Sequence, residues 1–114
     1  GAVSAESDSE LTFDGSVFDG NFVDNRFSSP ISGGAIYGES MDGFDITDAE
    51  FSDNVGYLYG GAVHCNGMNT GKTFTISNTT FSGNETLSKR GGAIEVSAGS
   101  DLSVTDSIFD SNIA

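Results

Sequence analysis

Seventeen acidic residues in a chain of 114 are the first candidates for chemistry. Clustered carboxylates can act as the acid and base of polysaccharide cleavage, and they can hold Ca²⁺. The densest run is MDGFDITDAEFSD, with Asp42, Asp45, Asp48, Glu50 and Asp53. It has neither the ligand spacing of an EF-hand loop nor a Gly-Gly-x-Gly-x-Asp nonapeptide. The run therefore reads as a solvated acidic face, with a weak Ca²⁺ site involving Asp14 and Asp45 as the sharper alternative. His64 is the single histidine and Cys65 the single cysteine. Two adjacent N and S donors are too few for zinc, and one cysteine cannot form an intrachain disulfide. His64 is expected in an outward polar position without a carboxylate partner, and Cys65 as an inert buried thiol. No residue is assigned as catalytic or metal-binding, and no cofactor is implied.

What positions these residues is a repeat. The motif Phe-x-x-Asn occurs at Phe18, Phe51, Phe81 and Phe109, with spacings of 33, 30 and 28. A second motif, Gly-Gly-Ala followed by Ile or Val, occurs at Gly33–Ile36, Gly60–Val63 and Gly91–Ile94, and the chain opens on GAV. From the apolar residue of this motif to the next Phe the distances are 15, 15, 18 and 15 residues. Four units thus share one register, and the third carries a three-residue insertion. Five residues before each Phe stand Phe13, Ile46, Ile76 and Val104; seven before it stand Leu11, Phe44, Phe74 and Leu102. Polar residues flank them with period two, the pattern of a half-buried strand.

A unit of roughly 30 residues with short strands and no helical period cannot bury its own apolar side, but stacked units can. The expected fold is all-β, a right-handed, three-sided, single-stranded parallel β-helix of about four coils. The coils run approximately over 1–32, 33–59, 60–90 and 91–114, and strands would stack ~4.8 Å apart. In this register Phe18, Phe51, Phe81 and Phe109 form an interior column. Asn21, Asn54, Asn84 and Asn112 form a corner column that satisfies backbone groups where the chain bends. The paired glycines mark a tight corner where the loop re-enters the coil.

The loops from Phe-x-x-Asn to the next Gly-Gly all emerge at one edge: FVDNRFSSPIS, VGYLY and ETLSKR. They would gather Phe22, Phe27, Tyr57 and Tyr59, with Lys89 and Arg90 one coil further on. Aromatic residues beside an arginine are typical of recognition hot spots, and loops on one face of a solenoid often carry its function. These six residues are the binding candidates. The competing reading folds Phe22, Leu58 and Tyr59 back as an auxiliary core. Asn78 (NTT) and Asn84 (NET) are glycosylation acceptors in a eukaryotic host, although the corner position of Asn84 argues against its use.

The two alternating motifs resemble the repeats of the chlamydial polymorphic membrane proteins and related adhesin-like surface proteins. The resemblance implies a secreted or surface-exposed chain, often an autotransporter passenger, acting in adhesion without catalysis. It points to both motifs, which in this fold are buried. The partner implied is a protein or glycan on a cell surface. Beginning inside one motif and ending after another suggests a segment of a longer secreted chain. The first alternative is a filament protomer whose copies stack end to end. The second is a carbohydrate-active β-helix with lyase- or hydrolase-like activity. The formal net charge of −13 weighs against nucleic acid and anionic membrane as partners. No apolar run reaches the ~18 residues a membrane-spanning helix needs.

Overall fold

A computed structural model of the chain describes residues 1–24 and 33–114. In the first repeat, β1 (Val3–Glu6), β2 (Glu10–Asp14) and β3 (Val17–Asp19) follow one another. The second has β4 (Ile36–Met41), β5 (Gly43–Thr47), β6 (Glu50–Ser52) and β7 (Val55–Gly56). The third has β8 (Val63–Met68), β9 (Thr73–Ser77), β10 (Thr80–Ser82) and β11 (Glu85–Thr86). The fourth has β12 (Ile94–Ser97), β13 (Asp101–Thr105) and β14 (Ile108–Asp110). Corresponding strands pair in parallel, giving three four-stranded sheets: β1-β4-β8-β12, β2-β5-β9-β13 and β3-β6-β10-β14. A two-stranded sheet, β7-β11, closes the perimeter. The molecule is a parallel β-solenoid, and among the described residues there is no helix.

The register follows the sequence columns. Val3, Ile36, Val63 and Ile94 pair along the first sheet, and Leu11, Phe44, Phe74 and Leu102 along the second. Phe18, Phe51, Phe81 and Phe109 pair along the third. Their rings stack face to face, with successive centroids 4.8 Å apart and planes within 9°. That rise equals the spacing of parallel strands, so one side-chain shape fits every coil. Phe44 and Phe74 form a second stack at 4.1 Å. Burial is complete only in the two middle coils, where Ile36, Phe44, Phe51, Val63, Phe74 and Phe81 are fully inaccessible. In the outer coils the same columns are half open, and Phe109 is 48% exposed.

The two middle corner asparagines, Asn54 and Asn84, use their full side-chain hydrogen-bonding capacity. Asn84 Nδ2 donates to Phe51 O at 3.0 Å and to Asn112 Oδ1 at 2.9 Å. Its Oδ1 accepts from Asn54 N at 3.1 Å and Asn54 Nδ2 at 2.9 Å. Asn54 repeats this arrangement with Asn21, Phe18 and Asn84. A backbone leaving the ladder at a bend loses partners, and the asparagine row supplies them without water. Asn84 is 0% exposed, so its amide is not open to glycosylation in the folded chain; Asn78 is exposed.

Two glycines do different work in the Gly-Gly corner. The first (Gly33, Gly60, Gly91) has positive φ, which disfavours a side chain. The second has no positive φ and is set by space alone: a Cβ on Gly61 would overlap the carbonyl oxygen of Gly92 one coil away. The other corners use polar residues in the left-handed region. Gly15, Asp48, Asn78 and Asp106 form one such column, and Gly20, Asp53, Gly83 and Ser111 another. Asp and Asn tolerate that region better than most residues. Four of the seventeen acidic residues, Asp8, Asp48, Asp53 and Asp106, stand at such turns. The three-residue insertion of the third repeat is confined to the turn Asn69–Lys72, where Lys72 N donates to Asn69 O at 2.9 Å.

Candidate functional site

The acidic run does not converge on an ion. Asp45 points outward from β5 and accepts a hydrogen bond from Thr75 Oγ1 of the neighbouring coil, and Asp48 accepts one from Asn78 Nδ2. Asn69 Nδ2 bridges Asp8 and Asp42, at 2.8 and 3.0 Å. Across the described residues, no three His, Cys, Asp or Glu side chains come together as a metal set. Cys65 lies in the core, and burial raises its thiol pKa to about 11.

The loop residues fall into two clusters. Phe22, Asp24, Tyr57 and Leu87 line a small pocket of about 230 Å³, with Phe22 and Leu87 each about half exposed. Phe22 is also tied to the solenoid by a parallel bridge to Val55. Tyr59, Lys89 and Arg90 form the second cluster. Tyr59 and Arg90 are bridged through their backbones, Gly60 N donating to Arg90 O at 3.0 Å and Arg90 N to Leu58 O at 3.2 Å. Lys89 Nζ donates to Tyr59 Oη at 3.0 Å and lies 5.1 Å from the ring centroid; the Arg90 guanidinium lies 5.4 Å from it. Such distances support cation–π attraction. Phe27 lies outside the described residues.

The expectation for His64 is corrected. Its side chain does point away from the core, in register with Ser4, Tyr37 and Glu95 on the outer face of the first sheet. It is nonetheless only 3% exposed, and it has a carboxylate partner: Nε2 lies 3.0 Å from Glu95 Oε2. The cause is the loop edge. Tyr59 covers the imidazole with ring centroids 5.1 Å apart, and Tyr37 flanks it at 5.4 Å. Arg90 reaches the other Glu95 oxygen at 3.4 Å. Burial raises the Glu95 pKa, countered in part by Arg90 and by a hydrogen bond from Ser97.

The next outward column, Glu6, Glu39, Asn66 and Ser97, extends this polar face. Tyr37 Oη donates to Glu39 Oε2 at 2.7 Å, and Ser97 Oγ donates to Asn66 Oδ1 at 3.0 Å. Burial foremost, with Glu39 adding to it against the Asn66 hydrogen bond, lifts the Tyr37 phenol to about 12. Tyr59, His64, Asn66, Arg90, Glu95 and Ser97 line a pocket of about 270 Å³. It offers a guanidinium, a carboxylate, an amide and a hydroxyl, the last from Ser97, which also hydrogen-bonds Glu95. Asn66, Glu95 and Ser97 are functional candidates that sequence reasoning missed. The available signal was that their columns switch among charged, amide and hydroxyl side chains from coil to coil, while the main core columns stay apolar.

The model of the Chlamydia polymorphic membrane protein repeat matches residues 15–39 and 78–97. Each match spans one Phe-x-x-Asn corner, the following loop and the next Gly-Gly-Ala-Ile. A probable autotransporter, YfaL of Escherichia coli (strain K12), is 35% identical over 100 residues, covering 86% of this chain. The match covers 8% of that relative's length. No solved structure matches the chain. Among the described residues no helix is long and apolar enough to cross a membrane, which says nothing of a β-barrel. Both repeat motifs, the parallel solenoid and the autotransporter relative agree: over residues 15–39 and 78–97 the chain carries the polymorphic membrane protein repeat.

Proposed function

We propose that this chain is a stalk segment of an extracellular, adhesin-like surface protein. The solenoid acts as a rigid, non-enzymatic spacer, and its loop edge recognises a partner on another cell. The repeat family and the autotransporter relative support a place at the cell surface. The observation that carries recognition is the cluster of Tyr59, Lys89 and Arg90, which is held on the backbone ladder and partly open to solvent. A recognition surface gains when its aromatic and guanidinium groups are ordered before contact. Phe22 and Tyr57 provide the neighbouring apolar contact.

The test is adhesion of the purified chain to cultured cells. Tyr57→Ala with Tyr59→Ala should abolish it while the circular dichroism spectrum stays native. Unchanged adhesion by that folded double variant would exclude the loop edge as the recognition surface.

A further inference from the structure

Resting on that surface-recognition reading, we propose that the pocket between Tyr59, His64, Asn66, Arg90, Glu95 and Ser97 binds one anionic sugar residue at the end of a glycan. Its charge would come from a carboxylate or a sulfate. Three features of the pocket argue for this ligand.

The first is the mixture of groups. An anionic sugar presents one charged group and several hydroxyls. The Arg90 guanidinium, 69% exposed, matches a carboxylate or sulfate with paired donors. Its contact with Glu95 uses one nitrogen at 3.4 Å and leaves most of the fork open. Glu95, Asn66 and Ser97 provide acceptors and donors for ring hydroxyls. An acidic peptide side chain would use the guanidinium and make no use of the Glu95, Asn66 and Ser97 side chains.

Order is the second. Arg90 is held by its backbone bridge to Tyr59 and by the Tyr59 ring. Glu95 is held by His64 at 3.0 Å, and Asn66 by Ser97 at 3.0 Å. Groups already fixed lose little entropy on binding. The His–Glu pair acts here as a support for the pocket wall.

Size and field are the third. At about 270 Å³ the pocket is smaller than the ~300–1,000 Å³ typical of drug-sized ligands, so it suits a single ring. The net charge of −13 repels a long polyanion. One terminal charge, met by the local pair Lys89 and Arg90, escapes most of that repulsion because the field is screened within ~10 Å at moderate salt.

The experiment titrates the ¹⁵N-labelled chain with methyl glycosides of a uronic acid, of a sialic acid, of a sulfated hexosamine and of neutral glucose. Amide shifts confined to the neighbourhood of Tyr59, Asn66, Arg90, Glu95 and Ser97, with an acidic sugar and not with glucose, are expected. Response to the carboxylated sugars alone names the carboxylate as the charge; response to the sulfated sugar alone names the sulfate. Arg90→Gln, at an exposed position that leaves the fold intact, should weaken binding about tenfold or more, and Ser97→Ala by about threefold. No shifts with any acidic sugar at millimolar concentration, an equal response to glucose, or unchanged affinity in Arg90→Gln would overturn the assignment. Cell adhesion is measured in parallel. Adhesion without sugar binding removes this assignment and leaves the recognition reading standing. Sugar binding at the pocket without adhesion removes the recognition reading and supports the pocket.

Discussion

The Phe-x-x-Asn corner and the outer face around His64 use neighbouring strands of the same coils in opposite ways. At the corner every coil contributes the same residue, and Asn54 and Asn84 each bond to the asparagines above and below until their side-chain capacity is used. Around His64 the residue type changes along the coils: serine, tyrosine, histidine and glutamate in one column, glutamate, glutamate, asparagine and serine in the next. A column that repeats can satisfy itself, because the spacing of its members is fixed by the backbone ladder. A column that varies needs partners from elsewhere, and here the loops bring Tyr59 and Arg90 to it. In a solenoid, repetition marks what holds the coils together, and its interruption marks where chemistry can be placed.

The strongest way to break this comparison is at the Gly-Gly corner. Gly61→Ala should yield no folded chain by circular dichroism, because its Cβ would meet the Gly92 carbonyl and the Glu85 backbone at once. A native spectrum would show that the coils can separate there at little cost. Next in size, Phe51→Ala should lower unfolding stability by about 3–5 kcal/mol in urea. Phe109→Ala should cost less than half of that, since its ring is 48% exposed at an outer coil. Equal losses would mean that the stack is not held by burial. Asn84→Ala should cost about 2–3 kcal/mol, because it leaves the Asn54 amide groups and Phe51 O without their partner.

The smallest effect sharpens the contrast at Glu95. Its folded pKa lies above the ordinary value of 4.5, first because of burial. The folded chain therefore holds that proton more tightly than the unfolded chain does. The stabilisation is fully present below pH 4.5 and is lost as pH rises through the folded value. Urea unfolding across pH 4–7 should show wild type losing ground to Glu95→Gln over that window, with His64 and Arg90 present in both. A difference that is flat with pH would contradict the burial of Glu95. If it exceeded the cost of Asn84→Ala, the division between self-satisfied and site columns would fail.

How much was legible in the sequence follows from the same logic. Parallel in-register stacking turns sequence spacing into spatial register, so Val63 to Ile94 and Phe51 to Phe81 could be paired by counting. The left-handed corners left a trace in composition. The column at Gly15, Asp48, Asn78 and Asp106 holds only residue types that tolerate positive φ, although its meaning emerged only with the backbone angles. The burial of His64 was not legible. Alternation places it on the outer face, and what covers that face is a loop whose path no period describes. The separation of Tyr57 from Tyr59 into different pockets likewise depends on how the short β7 leaves its coil.

By itself, then, the sequence determined the parallel solenoid, its register and its two structural columns, because those depend on interactions repeated at a constant interval along the chain. Only the tertiary structure decided that Tyr59, His64, Arg90 and Glu95 form one polar site. Their meeting depends on a single loop folding back over a single sheet, and a contact made once leaves no repeat to count.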